Sequence, residues 1–225
     1  MRKLTLIISF IFSFTTFANA VQLNGVNLGV SLTGGVFEGS AQELFSGNHV
    51  SNASSTNVVK SSEEVEALVG IGSVFVEAQI NENVGIGFDY VPHSLDSETE
   101  ENVQDMHKAS PVTNTVEVSF DDMRTIYALF KTDVGVYFKV GYTEVDVKTN
   151  ENLGTGGKYG DTTLDGTIIG IGYNYELEDG MFVRAEGNLI DFKGTTLTNS
   201  EDSTKSIKAK DIEGLGARVS IGKSF

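Results

Sequence analysis

Gly214-Leu215-Gly216-Ala217-Arg218-Val219-Ser220-Ile221-Gly222-Lys223-Ser224-Phe225 ends the chain with a two-residue period. Leu215, Ala217, Val219, Ile221 and Phe225 share one parity, interrupted only by Lys223, and the other parity carries Gly, Ser and Arg218. Successive side chains of an extended strand point to opposite faces, so this stretch reads as a strand with one greasy face and one small, polar face. Val134, Val136, Phe138, Val140 and Tyr142 repeat the pattern against Gly135, Tyr137, Lys139 and Gly141. So do Ile169, Ile171, Tyr173 and Tyr175, and Val84, Ile86, Phe88 and Tyr90. One segment breaks it: Val69 and Ile71 lie on one parity and Val74, Val76 and Ala78 on the other, which predicts a β-bulge near Gly72-Ser73.

Working outward, the same period marks eight segments: 25–37, 65–80, 84–91, 116–131, 134–147, 166–177, 181–192 and 212–225. Short connections rich in Asn, Asp and Gly (81–83, 132–133, 178–180) alternate with long polar ones (38–64, 92–115, 148–165, 193–211). Helical periodicity is nearly absent. Two all-β architectures compete, a soluble sandwich or lipocalin-like barrel with its greasy face inward and a membrane barrel with that face outward. The polar face decides between them. A soluble fold covers its wet face with long Lys, Glu and Gln side chains, whereas Gly, Ser and Thr dominate here, as a narrow closed lumen requires. Tyr127, Tyr142, Tyr173 and Tyr175 fall on the greasy parity, where interfacial aromatic girdles belong. The fold expected is an all-β, eight-stranded antiparallel up-and-down transmembrane β-barrel.

Composition agrees. The 225 residues contain no Cys and 31 acidic against 16 basic side chains, a net charge of -15, which excludes a disulfide scaffold and disfavours nucleic acid as a partner. Met1-Arg2-Lys3, an apolar run over 4–17 and Ala18-Asn19-Ala20 form a secretory signal peptide over residues 1–20, cleaved near Ala20, with the barrel domain over 21–225.

With its cleavable signal, eight strands, unequal connections and a terminal Val219-Ser220-Ile221-Gly222-Lys223-Ser224-Phe225, the chain resembles the small Gram-negative outer-membrane barrels of the OmpA transmembrane, OmpX and opacity-protein superfamily. The resemblance implies a bacterial outer-membrane location, termini in the periplasm and long loops at the cell surface; with the barrel read to Phe225, an appended peptidoglycan-binding domain is not expected. It also implies that the terminal strand and Phe225 are the signal read by the barrel-assembly machinery. Outer-membrane lipid and lipopolysaccharide are the implied surroundings.

Parity places Glu77, Asp89, Arg124, Lys139, Arg184, Glu186 and Arg218 in the lumen, where a network of ion pairs is expected because buried charges must be paired. A polar conduit is the alternative use of the same residues. His49, His93 and His107 fall in the long loops, too far apart in sequence to suggest a metal site, and no cofactor is indicated. His93-Ser94 with Asp96 or Glu98 supplies the residue types of acyl transfer but no matching motif, so no catalytic residue is assigned. Asp96, Glu98, Glu100, Glu101 and Asp105 read as a solvated acidic tip, or as ligands bridging divalent cations to lipopolysaccharide phosphates. The expected function is a structural or surface-interaction barrel whose loops meet external ligands, the alternative a narrow porin-like channel for small solutes or ions. Deleting Phe225, or replacing it with Asp, should lower the amount of protein assembled in the outer membrane. Unchanged abundance of both variants in membrane fractions would contradict the assembly role.

Overall fold

The computed structural model describes residues 23–45, 58–104, 112–154 and 156–225; the segment expected to be a signal peptide, His49, Asp105 and His107 lie outside them. Eleven strands follow in chain order: β1 (Gly25–Phe45), β2 (Val58–Gln79), β3 (Val84–Tyr90), β4 (Leu95–Asp96), β5 (Glu100–Gln104), β6 (Val112–Lys131), β7 (Val136–Leu153), β8 (Thr162–Glu176), β9 (Met181–Phe192), β10 (Thr195–Thr198) and β11 (Lys205–Ser224). Eight make an antiparallel ring, β1-β2-β3-β6-β7-β8-β9-β11, closed by pairing of β11 with β1. Short β4 and β5 pair with the upper part of β6, and β10 with the upper part of β11.

Register fixes the barrel's shape. Directly opposed residues run Leu28, Val76, Phe88, Ile126, Tyr142, Thr167, Asp191, Glu213 and return to β1 at Glu38, ten residues beyond the start. Eight strands with that stagger tilt by about 40° from the barrel axis. A tilted strand crosses a bilayer in ~9–11 residues, and β1, β2, β6 and β11 have 20 to 22. The four segments read as long loops therefore contain, among the described residues, long stretches of paired sheet: β1 and β2 continue their ladder to Phe45 and Val58. The barrel wall stands well above the membrane.

Leu28, Val30, Leu32, Ile86, Ile126, Phe130, Phe138, Val140, Ile169, Ile171, Leu189, Leu215, Val219 and Ile221 are exposed on the outer face, with Tyr142 toward one border and Tyr173 and Tyr175 toward the other. That belt is what lipid covers in this class of fold. Tight turns close the end where β1 begins and β11 ends. Asn81 Oδ1 accepts hydrogen bonds from the Asn83 and Val84 amides, and Asp179 adopts φ 58° in the 3-10 turn Glu178–Gly180.

One expectation about register fails. β1 and β2 pair without interruption from Gly25 opposite Gln79 to Glu43 opposite Ser61, so there is no bulge at Gly72-Ser73. Ile71 and Phe75 face inward together with Ser73 and Glu77, and it is this apolar filling of the lumen that disguised the parity. The bulges lie elsewhere. Register shifts between Asp121 and Arg124 of β6, and on β11 opposite Glu38 and Ser40 of β1, these two bulges each centred on an Asp of positive φ, Asp122 (50°) and Asp211 (52°); a further shift falls on β2 opposite Glu43 and Leu44 of β1. Asp tolerates the left-handed region better than most residues, which suits it to the extra position of a bulge.

Val219, 59% exposed on the greasy face, tests the lipid assignment. Val219→Arg should destabilise the barrel by ~2–4 kcal/mol if the residue meets the bilayer midplane, measured by urea titration in liposomes with the mobility shift between unboiled and boiled samples as readout. Tolerance equal to that of Arg at Ser97 would contradict the assignment.

Candidate functional site: the lumen of the barrel

The lumen is built in two layers. Toward the turn end lies a cage of charges and aromatic rings. Glu77 of β2, 1% exposed, accepts from both terminal nitrogens of Arg184 of β9, at 2.5 Å on Oε1 and 2.8 Å on Oε2. Tyr127 Oη donates to Glu77 Oε1 at 2.8 Å and Asn27 Nδ2 to Oε2 at 3.0 Å, so every strong lone pair of the carboxylate is used. Arg184 Nε donates to Asn174 Oδ1 at 2.8 Å, and its guanidinium lies over Phe182, Tyr137 and Phe75 at 4.5, 5.4 and 5.7 Å from the ring centres. Glu186 receives Lys139 Nζ on Oε1 and Tyr137 Oη on Oε2, the latter at 2.9 Å. Asp89 receives Arg218 and, at 3.1 Å, Ser73 Oγ, while Arg218 also reaches Ser31 Oγ at 2.6 Å. Three carboxylates meet three cations, and each pair joins different strands.

Glycines make room for the rings. A Cβ on Gly87 would stand 2.3 Å from Tyr127 Cζ, and one on Gly172 2.5 Å from Tyr137 Cζ, so each tyrosine lies flat across the bare backbone of its neighbour strand. Phe75 crosses Gly29 and Phe182 crosses Gly222 in the same way. The small residues on the polar face thus serve aromatic packing from adjacent strands as well as crowding at a common axis.

Toward the loop end the lumen is apolar. Val145, Val147, Leu164, Ile168, Ile190 and Phe192 form a buried cluster, with Phe37, Val118, Phe120, Met123 and Ile212 packed against it. Both bulges border this layer, and the extra residue at Asp122 keeps Phe120 and Met123 inward together. Open space is small. A cavity of about 10 Å³ lies within the charged cage, room for about one water. A pocket of about 280 Å³ opens among Gln79, Lys131, Glu176 and Ser224 at the turn end and stops at Phe182 and Arg184.

Six of the seven residues given to the lumen by parity, Glu77, Asp89, Lys139, Arg184, Glu186 and Arg218, come together there. Arg124 does not. It sits on the outer face above the apolar belt, its side chain 38% exposed, bonded to Glu144 at 2.9 Å and to Asp146 at 3.5 Å. Tyr127, expected on the greasy face, is 5% exposed inside the lumen. Below the bulge at Asp122, Arg124 shares the parity of the outward Ile126 and Phe130, and Tyr127 that of the inward Thr125 and Leu129, so the local alternation of β6 itself accounts for both positions. Tyr137 shares the parity of Lys139, a signal that could have placed it in the cage.

Outside the lumen, His93 Nε2 accepts the Gly72 amide at 3.1 Å and its Nδ1 lies 3.2 Å from the Ser94 carbonyl, so the ring is turned to backbone and not to a serine hydroxyl. Asp96, Glu98, Glu100 and Glu101 are exposed. Among the described residues no group of three His, Cys, Asp or Glu side chains could hold a metal ion. The loop-end connections 154–161 and 199–204 are stitched together: the Ser200 amide donates to the Lys158 carbonyl at 2.8 Å, and the Lys158 amide donates to Ser200 Oγ at 2.9 Å. In the second of them the Asp202 carboxyl is held below its usual range by the hydroxyl and amide of Thr204.

The model of the outer membrane protein beta-barrel domain family matches residues 6–216, and the chain belongs to that family. It is a bacterial outer-membrane barrel. No curated protein sequence matches the chain. Among solved structures it is similar to the outer membrane protein AlkL (11% identity, 90% of this chain and 91% of that one, TM-score 0.47) and to OprG from Pseudomonas aeruginosa (10%, 91% and 99%, 0.42). It is also similar to Ail, the attachment invasion locus protein of Yersinia pestis, in complex with the heparin analogue sucrose octasulfate (12%, 88% and 99%, 0.34).

Glu77→Ala leaves Arg184 buried without its partner and should cost ~3–5 kcal/mol, whereas replacing both with Leu and Met should cost less than the single change. Gel mobility across a urea series in detergent reads both variants. Equal losses would show that the uncompensated charge is not what destabilises.

Proposed function

We propose that the protein is a surface-contact barrel whose extracellular wall and connections meet external ligands, and not a conduit. The filled lumen carries this reading. The three ion pairs and their aromatic walls leave space for about one water, the pocket from the turn end stops at Arg184, and the apolar cluster lies above. A hydrated ion would have to displace buried, paired charges and then cross a dry layer. By contrast, strands about twice the length needed to cross a membrane lift a large polar surface above it. Short turns face the periplasm in this class, which puts that surface outside the cell. Lipopolysaccharide around the belt and the assembly machinery reading Phe225 are the envelope partners that belong to the same reading.

The purified barrel in a planar bilayer should show no steady conductance above that of the bare membrane, and Lys139→Glu should open none. Large ion-selective currents whose selectivity reverses in Lys139→Glu or Arg184→Glu would overturn the proposal in favour of the narrow channel.

A further inference from the structure

Above the membrane the barrel wall is not evenly joined. Among the described residues β2 pairs with β3 only from Val74 to Gln79, while its partnership with β1 runs on to Val58. The third strand of the ring is continued by β4 and β5, which pair with β6 and not with β2. Two sheet edges therefore face one another across a split, and the hydrogen bond that spans it among the described residues is the one from the Gly72 amide to His93 Nε2. Gly72 shows which way the edge points. Backbone groups of alternate residues in a strand face the same side, so the N–H and C=O of Gly70, Leu68, Glu66 and Glu64 are aimed into the split. All four residues are exposed, Leu68 at 86%.

An open edge offers a row of donors and acceptors to any extended chain, and its charges decide which chain. Glu64 and Glu66 lie on this edge, and Asp96, Glu98, Glu100 and Glu101 on the segment carrying the facing one, all exposed. A second copy of this chain would bring like charges together and is repelled. A cationic strand is attracted from both sides.

We propose that the edge of β2 from Glu64 to Gly70 binds an extended, basic polypeptide segment as an added antiparallel strand. Side chains of directly opposed residues interact across such a pair, so the segment that fits carries an apolar residue opposite Leu68 and Lys or Arg opposite Glu66 and Glu64. Read from its N-terminus it is apolar-x-basic-x-basic. The inference names the partner class for the surface-contact reading and rests on it. A barrel that passes no current and binds no such peptide removes the inference alone; one that conducts removes the reading.

The test uses the full-length barrel folded in zwitterionic micelles and a short fluorescent peptide with Val, Lys and Lys at alternate positions and Thr between them. Fluorescence anisotropy should show saturable binding. The same peptide N-methylated at the residues whose amides face β2 keeps its charge and should bind at least about tenfold more weakly. Leu68→Pro removes one edge donor without touching the β1 ladder, and Glu66→Lys reverses one charge; each should weaken binding by a similar factor in protein shown to be folded by its gel mobility. Should the proline variant fail to fold, Glu66→Lys and the methylated peptide decide. Equal affinity for the methylated peptide, absence of saturable binding up to about 1 mM, or self-association abolished by Glu66→Lys would each overturn the proposal.

Discussion

The constraint on which this barrel depends is that six charges inside a closed ring must each find a partner on another strand. Arg184 meets Glu77 across 107 residues of chain, Arg218 meets Asp89 across 129 and Lys139 meets Glu186 across 47. Such contacts exist only when the ring is closed with its observed stagger. A slip of one residue along any of these strands would turn the charge outward to lipid and a greasy side chain inward. Buried ion pairs are weak evidence for stability as such, because desolvation offsets much of their attraction. Their effect here is on register: they penalise every alternative pairing of β2, β3, β7, β9 and β11 that the period-two pattern alone would allow.

From that cage the rest of the lumen follows. Rings that wall the charges need bare backbone to lie against, which explains Gly29, Gly87, Gly172 and Gly222 on neighbouring strands. Above the cage the lumen no longer has to face away from lipid on a narrow axis, and the inward residues become an ordinary hydrophobic core around Ile168 and Phe192. Among the described residues, charge below and oil above fill much of the axis, and this filling is what supports the proposal that contacts are made by the outer wall. There the two sides differ. A backbone hydrogen bond from Ser200 to Lys158 and another from the Lys158 amide to Ser200 Oγ hold one side together, and among the described residues a histidine contact marks the base of the split on the other.

Much of this was legible in the chain. Period two, the turn residues at 81–83 and 178–180 and the small polar face were enough for eight strands, their order and the direction of the greasy face, because those signals are local. Asp89, Lys139, Arg184, Glu186 and Arg218 were legible as lumenal for the same reason, each lying within an unbroken run of parity, and Glu77 alternates locally with Val74, Val76 and Ala78. What parity cannot show is a change of parity. Asp122 inserts one residue into β6 and thereby turns Val118 and Phe120 inward although they share the parity of the outward Ile126 and Phe130, and nothing in the local pattern separates that bulge from the one expected, and absent, at Gly72. The extended upper ladder was missed for a different reason: from Glu38 to Glu43 of β1 and from Ser61 to Glu66 of β2 the sequence is rich in Ser, Gln and Glu with few apolar residues to mark the period, so a strand there reads like a loop.

The sealed lumen is the claim on which the functional account turns, and the chain's lack of cysteine makes it directly measurable. Ser220 is buried against the charged cage. In the folded barrel in lipid, Ser220→Cys should resist a small charged thiol reagent applied from either side, and should react promptly once the barrel is unfolded, while Ser97→Cys at the exposed loop end reacts at once. Modification of the cysteine at position 220 in the folded protein at the rate seen at position 97 would mean that the lumen is wet and continuous, contrary to this account.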